Sequence, residues 1–73
     1  MLLVTNDPTI TVNGAPRQLA DVTTLAHLIE SLGLTGQPVA TEVNGRLVPH
    51  RERAERRLAP GDVVELVTLV GGG

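Results

Sequence analysis

The chain has 73 residues, of which 41% are hydrophobic and 19% charged, with a formal net charge of -2. This length fits one small domain and is too short for a two-domain enzyme with a cleft between its lobes. The composition is that of a globular protein, which excludes disordered, collagen-like and coiled-coil chains. The core must be aliphatic, because the sequence contains no Phe, Tyr or Trp.

Residue types that the chain lacks exclude several kinds of site. No cysteine is present, which excludes disulfides, thiolate metal sites and cysteine nucleophiles and suits a reducing compartment. All six basic residues are arginine, so a lysine Schiff base is excluded as well. Neither a signal peptide nor a membrane span is visible, and no positive field favours nucleic acid. We therefore expect a cytoplasmic protein that binds neither membranes nor nucleic acid.

The first elements in chain order form a predicted hairpin. The run Thr9-Ile10-Thr11-Val12 alternates as a strand does, and Asn13-Gly14 after it favours a two-residue turn. We predict strands at 9–13 and 16–20. Pro16 has no N–H to donate, which places the second strand at an edge of the sheet. Residues 1–8 are interpreted as a preceding arm or an extra pairing segment.

One amphipathic helix follows the hairpin, predicted over 23–32. Its apolar residues recur at i, i+3, i+4 and i+7, and they are Leu25, Leu28, Ile29 and Leu32. Asp21 or Thr23 is the predicted cap at its start, and Gly33 suits the left-handed position after its end. This pattern predicts that one side of the helix packs on a sheet and the other faces water.

The second half of the chain predicts three further strands. Residues 39–43 form the first, Asn44-Gly45 repeats the turn dipeptide, and residues 46–48 form a short second strand. The charged segment 50–58 suits a turn or a short helix. The run 63–70 is the most hydrophobic of the chain, which predicts a central strand that is buried on both faces.

This order of elements predicts an α+β fold in which one α-helix crosses a mixed sheet of four to five strands. The layout is that of the β-grasp, or ubiquitin-like, fold. Residues 1–70 are predicted to form a single β-grasp domain, and residues 71–73 a flexible C-terminal glycine tail.

Three segments and the glycine end carry a more specific resemblance. They are Ile10-Thr11-Val12-Asn13-Gly14, Val39-Ala40-Thr41-Glu42-Val43-Asn44-Gly45-Arg46-Leu47-Val48-Pro49, and Gly61-Asp62-Val63-Val64-Glu65-Leu66-Val67-Thr68-Leu69-Val70 with Gly72-Gly73. Together they resemble the ThiS-type sulfur carriers of thiamine biosynthesis, over about residues 9–73. The chain departs from that family in having no aromatic residue after the Val-Pro pair and a glycine at position 71. Molybdopterin-type carriers share the fold and the Gly-Gly end, so another sulfur pathway stays open.

The resemblance implies a protein cosubstrate with no catalytic residue of its own. In that family an E1-like adenylating enzyme (ThiF-type) uses ATP to activate the terminal glycine carboxylate. Sulfur from a donor such as a cysteine desulfurase then gives a thiocarboxylate, which a thiazole synthase (ThiG-type) consumes. Carried over, the reactive carboxylate belongs to Gly73, with Gly72 and Gly71 as its tail. No cofactor is expected on the chain itself, because the ATP belongs to the activating enzyme.

The remaining candidates concern partner docking. We predict that the sheet face beside the tail docks the activating enzyme through Val67 and Leu69, with Arg56 and Arg57 around this apolar patch. The sequence does not show whether the odd-numbered or the even-numbered residues of the last strand face outward. His27 and His50 have no second ligand at metal spacing, so no metal site is expected. The alternative to a covalent sulfur carrier is a non-covalent β-grasp interaction module, in which the terminal glycines have no role.

Overall fold

A computed structural model of the chain describes residues 7–19 and 22–69. Several predictions therefore lie outside the described residues. They concern most of the amino-terminal arm, the last residue of the second predicted strand, the alternative cap Asp21, the last residue of the final predicted strand, and the glycine tail Gly71 to Gly73.

Five strands and one α-helix make up the regular structure. The strands are β1 (Thr9–Val12), β2 (Ala15–Gln18), β3 (Val39–Val43), β4 (Arg46–Leu47) and β5 (Val63–Thr68), the helix is α1 (Leu25–Ser31), and a 3₁₀ turn spans His50–Glu52. The predicted order of elements is confirmed. No helix in the described part of the chain is long and apolar enough to cross a membrane.

The strands form one mixed sheet in the order β2-β1-β5-β3-β4. The central strand β5 runs parallel to β1 and antiparallel to β3, and the two hairpins β1–β2 and β3–β4 lie on either side of it. The central position predicted for the last strand and the edge position predicted from Pro16 are both confirmed. With α1 on one face, this is the predicted β-grasp arrangement.

The core lies between α1 and one face of the sheet. Its buried hydrophobic residues are Ile10, Val22, Leu25, Leu28, Ile29, Val39, Val43, Val48, Leu58, Val64 and Leu66. Thr41 is buried among them and satisfies its hydroxyl by donating to the carbonyl of Val48 at 3.0 Å. The stripe predicted for the helix therefore faces the core, although Leu32 at its end is only half-buried.

The cap of α1 differs from the prediction. Thr24 has an extended backbone and its Oγ1 accepts a hydrogen bond from the His27 N–H at 3.1 Å, so the helix begins at Leu25. The carbonyl of Thr23 instead accepts from the Leu58 N–H at 3.1 Å, which holds this residue outside the helix. Gly33 follows the helix with φ of 73°, the left-handed conformation that was predicted there.

The prediction that the last strand is buried on both faces is wrong. Val64 and Leu66 of β5 are buried, whereas Val63, Glu65 and Val67 between and beside them are exposed. Among the described residues a single α-helix covers one face of the sheet, and the other face is open. The outward positions are apolar because valine favours strands whether or not it is buried, which hides the alternation from a hydrophobicity pattern.

Candidate functional site

The open face of the sheet carries large exposed apolar side chains next to the start of the predicted tail. Val63, Val67 and Leu69 expose 44%, 59% and 53% of their surface, and Leu47 on β4 exposes 68%. Successive side chains of a strand point to opposite faces, so the odd-numbered residues of β5 face outward. Val67 and Leu69, the apolar residues predicted for docking, thus lie on one continuous open surface.

Two carboxylates lie directly opposite each other in the middle of this open face. Glu42 of β3 pairs with Glu65 of β5 in the strand register, and Leu47 of β4 lies opposite Glu42 on its other side. The next row pairs Ala40 with Val67. Directly opposite residues of an antiparallel pair share a face, with Cβ atoms about 5 Å apart. The face therefore consists of an acidic pair with apolar side chains on both sides.

Three of the described arginines make side-chain contacts away from the open face. Arg17 donates to the Ser31 hydroxyl of α1 at 3.1 Å, and Arg53 donates to the carbonyl of Val39. Arg56 lies 3.7 Å from the Asp62 carboxylate, which is the one ion pair within residues 7–19 and 22–69. Neither Glu42 nor Glu65 has a cationic partner in the part of the chain that the structure describes.

The tail starts where β5 leaves the sheet. The N–H of Leu69 donates to the carbonyl of Pro38 at 2.9 Å, which continues the pairing of β5 with β3 by one residue beyond Thr68. Gly71, Gly72 and Gly73 lie outside the described residues. Four residues separate Leu69 from the end of the sequence, and an extended chain of that length reaches about 13 Å. A terminal carboxylate on such a chain can act well beyond the sheet.

Two asparagines hold β5 in place through their side chains. Asn13 accepts from the Leu66 N–H at 2.7 Å and donates to the Leu66 carbonyl at 3.1 Å. Asn44 accepts from the Val63 N–H and donates to the Asp62 carboxylate, both at 2.9 Å. The sequence predicts that the two Asn-Gly pairs form turns. Their backbone does so, but the side chains also tie both hairpins to the strand that carries the tail.

Asp62 joins the start of β5 to its surroundings. Burial by itself raises the pKa of this carboxyl, but hydrogen bonds from the Ala59 N–H and the Asn44 amide, together with the Arg56 charge, outweigh it and lower the pKa. The opposite charges of Arg56 and Asp62 therefore stabilise each other just before β5.

The two arginines predicted for docking lie away from the carboxyl end of β5. Arg56 contacts Asp62 before the first residue of β5, and Arg57 forms an isolated β-bridge with Thr24 before α1. Leu69 lies after the last residue of the same strand, which places it roughly 20 Å from Asp62 along the strand axis. The structure thus brings Val67 and Leu69 together and does not bring Arg56 and Arg57 to them.

A cavity of about 540 Å³ opens on the helix side of the fold. Its walls include Ile29, Leu34 and Pro38, together with His50 and Arg53. His50 Nδ1 lies 3.2 Å from the Arg53 guanidinium, whose other contact is the Val39 carbonyl. These two side chains therefore brace the 3₁₀ turn against the start of β3. His27 is exposed on the outer side of α1.

Comparison with known sequences relates almost the whole chain to one family. A family model described as the ThiS family matches residues 10–73. The sulfur carrier protein ThiS of Thermus thermophilus is 39% identical over 62 residues, which are 85% of this chain and 95% of that protein. A thiazole synthase of Paramagnetospirillum magneticum is 33% identical over 64 residues, and these are 88% of this chain but 20% of that longer protein.

Comparison with solved structures agrees with this relation. The crystal structure of the thiamine biosynthesis protein ThiS from Geobacter metallireducens superposes with a TM-score of 0.72 at 26% identity. The superposition covers 89% of this chain and 99% of the other. The five-stranded sheet and its helix are therefore shared with that protein.

Proposed function

The chain belongs to the ThiS family, and we propose on this basis that it is a sulfur carrier of thiamine biosynthesis whose Gly73 carboxylate becomes a thiocarboxylate. The observation that carries the proposal is the extent of the family match, which runs from Ile10 to Gly73 and so includes both β5 and the final glycines. In this role the chain is a protein cosubstrate of other enzymes. It supplies a carboxylate and the surface that presents it.

The proposed chemistry begins with adenylation, continues with attack by sulfur and, where the donor is a persulfide, ends with cleavage by a thiol. A Gly73 carboxylate oxygen attacks the α-phosphorus of ATP, pyrophosphate leaves, and an acyl adenylate forms. A sulfur nucleophile then attacks the acyl carbon, so that a C–S bond forms, the C–O bond to AMP breaks, and AMP leaves. With a persulfide donor, a further thiol cleaves the resulting acyl disulfide and releases the thiocarboxylate. Glycines suit the tail because they lack a Cβ that would clash in a narrow nucleotide site.

The proposal implies three partners. An E1-like enzyme of the ThiF type adenylates Gly73, a donor such as a cysteine desulfurase supplies sulfur, and a thiazole synthase of the ThiG type consumes it. The relative named thiazole synthase supports the last of these, because a region of that protein is similar to this chain. Val67 and Leu69 are proposed as contacts for the adenylating enzyme, since they are exposed and directly precede the tail.

The first experiment is intact mass analysis of the protein purified from its own cells. We expect a fraction of the chains to carry sulfur in place of one oxygen at Gly73. Reconstitution with the ThiF-type enzyme, ATP and a sulfur donor should produce the same species, and thiazole synthase should remove it.

A blocked terminus provides the matched comparison. One residue added after Gly73 turns its carboxylate into an amide, which should lower pyrophosphate release at least about 100-fold. The same residue added before Met1 should leave the rate unchanged. A chain blocked at Gly73 that still forms the thiocarboxylate at the normal rate would contradict the proposal. Binding without any adenylation would instead favour the non-covalent interaction module, and transfer only to a molybdopterin-type acceptor would overturn the thiamine assignment.

A further inference from the structure

The charges on the open sheet face destabilise the free protein. Glu42 and Glu65 are both exposed and directly opposite each other on neighbouring strands. Like charges at such positions destabilise a sheet. Neither carboxylate forms an ion pair with a described cation, and Arg17, Arg53 and Arg56 make their side-chain contacts elsewhere.

The apolar side chains around the acidic pair complete the pattern of a docking surface. Val63 and Val67 precede and follow Glu65 on β5, and Leu47 lies across from Glu42. All three are large and exposed. An apolar rim excludes water around a charge contact and so strengthens it.

We propose that this face docks the adenylating enzyme by receiving an arginine or lysine side chain of that enzyme between Glu42 and Glu65. Leu47, Val63 and Val67 contact apolar side chains around that cation. The identity of the partner rests on the proposed function, whereas the charge of its contact is inferred from the sheet alone. The docking surface of the enzyme is therefore basic, whereas docking through Arg56 and Arg57 would require an acidic surface on the enzyme.

Other occupants fit these observations less well. A second copy of the chain placed face to face would bring two acidic pairs together. A bound cation would need further ligands, and no third His, Cys, Asp or Glu joins the pair within residues 7–19 and 22–69. A docked enzyme at this face would also lie beside the end of β5, from which the sequence continues to Gly73.

The test compares two double variants that change the net charge equally. Glu42→Gln with Glu65→Gln removes the acidic pair, whereas Glu52→Gln with Glu55→Gln removes two exposed carboxylates from the segment on the other side. Binding to the ThiF-type enzyme is measured without ATP at several salt concentrations. We expect the first variant to raise Kd about tenfold, through faster dissociation together with slower association that depends less on salt. The second should bind as the unaltered chain does.

Two further readouts separate recognition from folding and from chemistry. The first variant should raise the thermal midpoint of the free protein by about 2–4 °C, because it removes the repulsion between the two strands. As a substrate of the adenylating enzyme, the first variant should form thiocarboxylate with an unchanged kcat when it is saturating. Its KM, measured over a range of concentrations of the variant, should be raised. A variant that is more stable yet binds more weakly cannot owe its weaker binding to misfolding.

Two outcomes would overturn the inference. One is unchanged binding by the first variant while thiocarboxylate still forms, which leaves the proposed function intact. The other is self-association of the unaltered chain, detected by sedimentation and abolished by Val67→Asp, which assigns the face to a second copy. Failure of the proposed function is seen separately, as the absence of thiocarboxylate from the unaltered chain.

Discussion

At the scale of single residues, Asn13 shows how much a sequence motif reveals. The dipeptide Asn13-Gly14 predicts a tight hairpin turn, and both residues do adopt positive φ, 51° and 82°. No sequence pattern indicates that the amide of Asn13 also bonds both backbone groups of Leu66, 53 positions away. These bonds continue the pairing of β1 with β5 after β1 has turned away. A local motif thus sets the turn, while the fold sets the second role.

Replacing Asn13 with glycine isolates that second role. Glycine keeps the positive φ at no steric cost but loses both side-chain bonds to Leu66, so we expect unfolding to become easier by about 1–2 kcal/mol. Urea unfolding followed by circular dichroism measures this loss. Asn13→Asp, which keeps the acceptor for the Leu66 N–H, should lose less at neutral pH. Equal stability of Asn13→Gly and the unaltered chain would show that the side chain sets the turn only.

At the scale of elements, the alternation typical of strands and the spacing of apolar residues typical of a helix predicted the order of the elements. The bounds predicted for β3 are those of the structure, because a β-branched run ends there at an Asn-Gly turn. What the pattern did not contain is the pairing of distant strands. The opposition of Glu42 and Glu65 depends on the register of β3 against β5, and the exposure of Val63 and Val67 depends on which face α1 covers. Those features of the candidate site come from tertiary structure.

The junction of three elements at Asp62 predicts a dependence of stability on pH. Because the pKa of Asp62 in the folded protein lies below its ordinary value of 3.8, the unfolded chain binds a proton more readily than the folded one does. The carboxylate therefore stabilises the fold fully above that value, and the stabilisation is lost as pH falls through the folded pKa.

The isosteric change Asp62→Asn isolates this group, because every other carboxyl is the same in both proteins. The free energy of unfolding should differ between the two proteins at about pH 6, and the difference should shrink as the pH falls below 3.8. Urea unfolding across this range measures the difference. A gap that stays constant with pH would mean that the contacts of Asp62 with Ala59, Asn44 and Arg56 do not depend on its charge.

At the scale of the whole molecule, the described core and the proposed reactive group occupy separate parts of the chain. Every buried hydrophobic residue of the described structure lies between Ile10 and Leu66, whereas the proposed chemistry takes place at Gly73. The central strand links the two, because β5 contributes Val64 and Leu66 to the core and then leads into the tail. A domain whose fold does not depend on its last residues can present those residues to several enzymes in turn. The proposed cycle requires such successive contacts.

Deleting Gly72 and Gly73 should therefore separate folding from function. No described core contact is removed, so the thermal midpoint should stay within about 1–2 °C of that of the full chain, while adenylation is lost. Leu28→Ala is the opposite case, because Leu28 is fully buried. It should cost about 2–5 kcal/mol of stability but leave the carboxylate of any folded chain reactive. Scanning calorimetry and pyrophosphate release measure the two properties on the same samples. A truncated chain whose midpoint falls as far as that of Leu28→Ala would show that the terminal glycines take part in the fold, and the tail would then be part of the domain that presents it.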